Sequence, residues 1–373
     1  MEASFHGSAL LHRLLSDYPP ERLTVIETAT QSEPSRRLSQ VNYLSRPIAK
    51  QRWLNTRFHP YVAAWFTQAG KHSARKITKS LNGFDFESVL TVAHGFGWLA
   101  AAEIAERSGV PLHLIVHDDW PRVANVAPAF RNRLDQQFAN VYRQAHSRMC
   151  VSPAMSRSYS ERYGKPARTI YPSRAPHCLQ YDEPPARIAR NDHAFTIAFA
   201  GTINSIGYIR ALIALQDALK SVSGRLLIFG PTTPAEAQQF GLNDPEVRGL
   251  LPAAELVTTL RDEADALFVP MSFDAADRSN MEMAFPSKLA DYTATGLPLL
   301  IYGPAYCSAV TWARENPGVA AVVESEPDLT SAITLLANNP DTRIALGRRA
   351  LHAGRDYFTH DRIQEQFYKA LSA

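Results

Sequence analysis

Ala284-Phe285-Pro286-Ser287-Lys288-Leu289-Ala290-Asp291-Tyr292-Thr293-Ala294-Thr295-Gly296-Leu297-Pro298-Leu299-Leu300-Ile301 decides the fold. Pro286 fixes φ for a turn or a first helical position. Ser287 is an N-cap residue type, and Leu289 and Tyr292 keep helical spacing. Gly296 followed by Pro298 stops the helix. Leu299-Leu300-Ile301-Tyr302 then has the unbroken apolar character of a parallel strand buried on both faces. A helix start favours an anion, and Lys288 adds a full positive charge there. Asp291, one turn on, is placed to accept hydrogen bonds from a pair of sugar hydroxyls. The stretch reads equally as an ordinary capped helix or as a grip for a nucleotide sugar.

Pro286-Ser287-Lys288-Leu289-x-Asp291-Tyr292-x-Ala294-x-Gly296-x-Pro298-Leu299-Leu300 resembles the donor-binding segment of GT-B glycosyltransferases of the group 1 type, glycosyltransferase family 4. Many members carry a Glu-x7-Glu pair here. Asp291 falls at the second position, Met283 at the first, and Glu282 is the nearest carboxylate. The resemblance implies two Rossmann-like α/β domains facing an interdomain cleft, with a C-terminal helix crossing back to the first domain.

The rest of the chain is consistent with that plan. Its 373 residues are enough for two domains, and 45% hydrophobic with 20% charged residues is ordinary for a globular enzyme. A net charge of +3 gives no argument for a nucleic-acid partner. Cys150, Cys178 and Cys307 form no CxxC pair, which suits a reducing compartment and argues against a zinc site or a disulfide framework. No apolar run is long enough for a membrane span and the N-terminus is no signal peptide. The expected location is cytoplasmic, with peripheral contact at the inner membrane face as its extension.

Ser88–His94, the helix from Leu99 to Ser108, and Leu112–His117 form a βαβ unit with short turns, so the first sheet is parallel. Strands at 147–152 and 169–172 and a helix at 153–163 continue it. A helix is expected at 131–145. The pattern restarts with strands at 195–200, 225–229, 247–251, 266–270 and 319–323 and helices at 206–222 and 254–263. Helices at 328–338, 340–353 and 355–371 close the chain. The expected division is a Rossmann-like acceptor domain over 1–182, a linker over 183–192 rich in Pro and charge, a donor-binding domain over 193–354 and a terminal helix over 355–373. Gly7 and Ser8 read as a Gly-led loop entering a helix. A doubly wound domain needs a strand ahead of that loop and only six residues precede it, so the chain starts late or lacks that strand. Gln31 to Arg57 is Arg-rich and reads as a solvated surface or as a basic acceptor-side or membrane-facing segment. Trp53, Trp65 and Phe66 would make part of it an interfacial helix.

Ligands of parallel sheets bind beyond the carboxyl ends of the strands, where His94 and His117 both stand. His117, beside Asp118 and Asp119, is the leading catalytic candidate by resemblance, with Asp118 or Asp119 orienting its ring or serving as base. The donor-binding set is Gly7, Ser8, His94, Gly201, Thr202, Pro286, Ser287, Lys288, Leu289 and Asp291. Related enzymes carry Arg and Lys after the Gly201 position, whereas here Thr202 and Asn204 stand there. Phosphate charge would then rest on Lys288, the helix end and Arg278, with Arg210 on the neighbouring helix. No Asp-x-Asp, dinucleotide, P-loop or nucleophile-elbow motif is present. The missing Asp-x-Asp points to a metal-independent, cofactor-free reaction, and the resemblance implies which one: transfer of a sugar from a nucleotide-diphosphate sugar to a hydroxyl acceptor on a glycan or lipid-linked molecule, in polysaccharide or glycolipid synthesis. Retention follows from the resemblance alone. The alternatives are a GT-B-fold binding or scaffold protein and a nucleotide-sugar epimerase.

Overall fold

The computed structural model describes residues 1, 6–28, 33–48, 56–81, 83–203, 205–243 and 245–372. The chain divides into two compact units, Met1–Tyr171 with Gln364–Ala373, and Pro172–Ile363. Among the described residues no helix is long and apolar enough to cross a membrane.

The first unit opens with α1 (His6–Leu14), whose Leu10 and Leu14 recur at helical spacing and are buried. Gly7 and Ser8 lie in the first turn of this helix and not in the loop expected of them. Strands β1 (Thr24–Glu27) and β2 (Asn42–Ser45) pair in parallel as a sheet of two. The second lies inside the Arg-rich stretch, whose alternation is too short to announce it. Two of that stretch's arginines are paired: Arg36 with Glu33 at 3.1 Å, Arg37 with Glu27 at 2.9 Å. Trp53 falls outside the described residues. Next come α2 (His59–Ser80), β3 (Val89–Val92), α3 (Gly97–Ser108), β4 (Leu112–Val116), α4 (Pro128–Gln144), β5 (Ser147–Cys150), α5 (Pro153–Tyr163) and β6 (Arg168–Thr169). Strands β3 to β6 form a separate parallel sheet in sequence order. β6 keeps two residues where four were expected, because Pro172 has no N–H for the ladder.

The two sheets of this unit pack on common helices. Ile26 of β1 and Val89 of β3 both touch a cluster of Ile48, Ala74, Ile77, Ala100 and Ile104. Thr28, just past β1, lies against Gly97, where an added Cβ would meet its hydroxyl at 2.5 Å.

The second unit holds one sheet. Strands β7 (Thr196–Ala200), β8 (Arg225–Phe229), β9 (Glu246–Arg248), β10 (Ala266–Pro270), β11 (Leu299–Tyr302) and β12 (Ala320–Val323) lie in the order β12-β11-β10-β7-β8-β9, all parallel. Helices α6 (Ile206–Leu219), α7 (Pro234–Gln239), α8 (Ala253–Glu263), α9 (Arg278–Met283), α10 (Lys288–Tyr292), α11 (Ser308–Glu315), α12 (Glu326–Asn338) and α13 (Pro340–Tyr357) connect the strands and close the unit. Strands β7, β10 and β11 are buried at every residue. Phe199, Phe268 and Leu300 lie in one core with Leu212, Leu215, Leu329 and Ile333 of the covering helices. α7, α9 and α11 were not expected; α9 begins inside 271–280, which reads as a polar loop. The first carries a capping box between Thr233 and Glu236 that the sequence Thr-Pro-Ala-Glu spells out.

Arg343 is 1% exposed and acts as a clasp. It donates to the carbonyls of Ile188, Leu336, Ala337 and Arg190 and to the Asn191 side chain at 2.6–2.8 Å. The last helix, α14 (His360–Leu371), follows a break at Phe358–Thr359 that the sequence reading ran through. From Gln364 onward it groups with the first unit, where Gln364 reaches Asp17 and the Lys369 carbonyl accepts from Arg168.

Candidate functional site

In the second unit the site is built at the carboxyl end of β7. Gly201 there has φ +147, and Gly230 at the end of β8 has φ +154. The two turns stack so closely that a Cβ on Gly230 would lie 2.4 Å from the Gly201 carbonyl oxygen. Only glycine fits both the conformation and the approach. The Gly201 amide donates to the Phe229 carbonyl at 2.9 Å, so Gly201 provides clearance and not a donor.

Lys288, first residue of α10, sits over this turn. An added Cβ on Gly201 would be 3.6 Å from both Cε and Nζ of Lys288. Its ammonium lies 4.3 Å from the Phe199 ring centroid and 5.0 Å from that of Tyr208. Among the described residues no carboxylate pairs with it, and burial pushes its pKa down to about 7. Two aromatic faces partly compensate a desolvated cation. One turn on, the Tyr292 hydroxyl accepts the Ala200 amide at 2.6 Å and ties α10 to the end of β7.

The other donor-binding candidates of this unit are sorted by the same geometry. Thr202 is exposed next to Gly201, Pro286 and Ser287 form the approach to α10, and Leu289 is core. Ser287 occupies the N-cap position with helical angles and makes no capping bond, contrary to expectation. α10 has five residues, so a helix dipole adds little beside the Lys288 charge. Asp291 is half-buried, and its charge works against the burial that lowers the pKa of Arg174. Arg210 pairs with Asp274 and Arg278 with Glu282, both on the surface, which leaves Lys288 as the cation at the turn. Asn204 lies outside the described residues.

In the first unit the carboxyl ends of β3 and β4 bring His94, His117 and Asp118 together. The His94 and His117 rings stack with centroids 5.4 Å apart. His117 Nδ1 is 3.0 Å from Asp118 Oδ2, and His94 Nδ1 is 3.7 Å from the same oxygen. Burial opposes ionisation of Asp118, but bonds from His117 and His94 and their charge hold its carboxyl well below the usual range. With its Nδ1 turned to the carboxylate, His117 presents Nε2, which is buried and has no hydrogen-bond partner among the described residues. That is an oriented imidazole whose second nitrogen is left without a partner among the described residues. Asp119 does different work. It is fully buried, receives the Arg162 guanidinium at 3.0 Å and the Tyr159 hydroxyl at 3.2 Å, and holds the loop. His94, His117 and Asp118 each offer one ligand atom within 4.8 Å of the others, a set able to hold a cation.

Three contributors escaped the sequence reading: the Phe199 and Tyr208 rings around Lys288 and the Tyr292 hydroxyl on Ala200. Aromatic residues at strand and helix positions carry no signal that separates them from ordinary core.

No family model matches the sequence, and no curated protein sequence matches it either. Solved structures do match. HepE of Anabaena in complex with UDP aligns at TM-score 0.67 with 13% identity, covering 99% of this chain and 96% of that one. Sucrose-phosphate synthase from Thermosynechococcus elongatus aligns at 0.62 with 14% identity, covering 100% and 94%. A UDP-forming α,α-trehalose-phosphate synthase from Burkholderia xenovorans aligns at 0.62 with 14% identity, covering 97% and 96%. Over nearly its whole length this chain has the fold these proteins share, that of the GT-B glycosyltransferases.

Proposed function

We propose that this protein is a glycosyltransferase that moves a sugar from a nucleotide-diphosphate sugar to a hydroxyl acceptor. The observation that carries the reading is Lys288: a half-buried cation, without a carboxylate among the described residues, held over a glycine turn at the end of a parallel strand. A diphosphate supplies the missing negative charge. In this reading the bond from the sugar C1 to the diphosphate oxygen breaks, and the electron pair passes to that oxygen, stabilised by Lys288. The acceptor oxygen bonds to C1 and its proton leaves with the phosphate. Gly201 and Thr202 line the phosphate path, with Pro286, Ser287 and Leu289 shaping it and Asp291 toward the ribose. His117 Nε2, oriented by Asp118, holds a hydroxyl of the transferred sugar, with His94 stacked beside it. Gly7 and Ser8 keep their place as candidates on the acceptor-side unit.

The family 4 assignment, retention of configuration and a role in glycan or glycolipid synthesis rest on the sequence resemblance, and metal independence on the lack of an Asp-x-Asp motif. A cytoplasmic location is supported by three cysteines that form no disulfide, of which Cys150 and Cys307 are buried with thiols pushed up to about 12; peripheral contact at the inner membrane face extends that reading. A ligand-binding protein on the same fold is favoured by one feature, the division of the first unit's strands into two sheets.

Melting of the purified chain with UDP-, GDP-, ADP- and dTDP-sugars tests the reading. Ligand at a hundred times its dissociation constant stabilises by about 2.7 kcal/mol. A shift with one nucleotide class, lost in Lys288→Ala, is expected; none with any class refutes the donor site. Release of free nucleotide with a new glycoside separates transfer from epimerisation and from binding alone. Turnover unchanged by a chelator is expected; its loss would assign a cation to His94, His117 and Asp118.

A further inference from the structure

The charge of the chain is unevenly placed. Residues 34–84 contain ten of its 39 Lys and Arg and none of its 36 Asp and Glu. Most of this run's described length is α2, a helix of 22 residues and about 33 Å. One face of α2 is core: Ala63, Ala74 and Ile77 are at most 3% exposed. The opposite stripe follows helical spacing through Tyr61, Trp65, His72, Lys76 and Lys79, with Arg75 alongside, and all of these are exposed. Its first half is aromatic and its second half cationic. Tyr61 is 62% exposed and Trp65 58%.

The aromatic half continues onto neighbouring residues. Phe58, 53% exposed, precedes α2 with the Arg57 guanidinium 4.9 Å over its ring. Phe130 and Arg133 of α4 line a groove of about 180 Å³ with Tyr61 and Trp65. Among the described residues no carboxylate pairs with Arg57, Arg75, Lys76 or Lys79.

We propose that this face docks on a bilayer surface rich in anionic lipid headgroups. Rings with one apolar and one polar edge suit the boundary between acyl chains and headgroups, and the cationic half suits the phosphates beside it. A nucleic-acid duplex would use the cations alone and leave four exposed aromatic side chains on one patch without a role; a single strand that stacks on them is an outcome the test separates. The inference is independent of the donor chemistry at Lys288.

Sedimentation with vesicles of phosphatidylcholine, with and without about one third phosphatidylglycerol, tests it. The full chain is expected to bind the anionic vesicles at low salt and to leave them as ionic strength approaches about 1 M, where the screening length falls to a few ångströms. Arg75→Gln/Lys76→Gln/Lys79→Gln should weaken partition by roughly 100-fold, at about fivefold per cation. Tyr61→Ser/Trp65→Ser should weaken it about tenfold and leave weaker salt-dependent binding. A blue shift of tryptophan emission on vesicle addition should be lost in Trp65→Phe. All these side chains are exposed, so melting should move little, and Lys288→Ala should bind vesicles as the parent does. No binding to anionic vesicles at low salt overturns the proposal. So does binding that survives both variant sets, or retention on duplex or single-stranded nucleic acid that exceeds retention on vesicles.

Discussion

The two units solve the same problem with different materials. The second lays six parallel strands into one sheet, and three of its four central strands are buried at every residue. In the first, β1 and β3 are half-buried along most of their length and belong to different sheets. Only β4 is buried at every residue there, and much of the cohesion comes from the helices. Trp98, Phe138, Tyr142, Tyr159 and Tyr163 of α3, α4 and α5 form a ring cluster with centroids 5.2–6.1 Å apart. The difference teaches where each half can absorb change. A strand buried on both faces has no room to relax, whereas a half-buried strand resting on helices has.

The strongest way to break this comparison is a matched pair of truncations. Phe268→Ala in β10 should destabilise the second unit by about 3–5 kcal/mol, while Leu90→Ala in β3 should cost the first unit only about 1–2 kcal/mol. Urea unfolding followed at both units checks it, and equal losses would remove the distinction. Next is the clasp. Arg343→Met leaves four carbonyls, those of Ile188 and Leu336 buried, without this donor and should cost roughly 3 kcal/mol, seen as a lower urea midpoint with an unchanged slope.

His117→Gln should lower turnover with the identified donor by about 100-fold and also remove part of the stability that Asp118 gains from its bond to the ring. Asp118→Asn should lower it less, by about tenfold, and should remove stability that is present above the ordinary carboxylate pKa and lost as pH falls below it. Lys288 works in the opposite direction. Its folded pKa of about 7 lies below the unfolded value of 10.5, so the unfolded chain binds more protons between them and stability rises with pH across that window. Lys288→Met should flatten that rise in melting curves taken from pH 7 to 10. Smallest of all, Arg22→Gln removes an exposed pair with Glu87 at 3.2 Å and should change stability by less than about 0.5 kcal/mol. A larger loss would mean that this surface contact helps join the halves of the split sheet.

Much of the second unit was legible because its strands are continuous apolar runs set between glycine and proline stops. Thr196–Ala200 and Leu299–Tyr302 need no partner to be recognised. Lys288 was legible for the same reason, standing at the boundary between two such signals. The first unit was harder. β2 lies in a stretch dominated by arginine, and the boundary between α13 and α14 is set by packing of Phe358 and His360, both buried, and not by a breaker residue. The neighbours of Lys288 were illegible in principle. Tyr208 and Tyr292 sit at ordinary amphipathic positions, and only the crossing of α6 and α10 over the end of β7 brings them to the cation. The pairing of His117 with Asp118 was open between two adjacent acids, and burial of Asp119 against Arg162 and Tyr159 resolves it.

The clasp at Arg343 has a practical side. Arg174 donates to Ala290 and Thr293, and its own amide reaches Phe358, so two arginines pin the segment from Pro172 to Asn191 onto the second unit. An expression boundary drawn just before β7 would discard one side of each attachment and leave Arg343 only the Leu336 and Ala337 carbonyls of its acceptors. A fragment that begins at Pro172 carries both fastenings with it, and is the piece to make when half of this protein is wanted for labelling or for crystallisation.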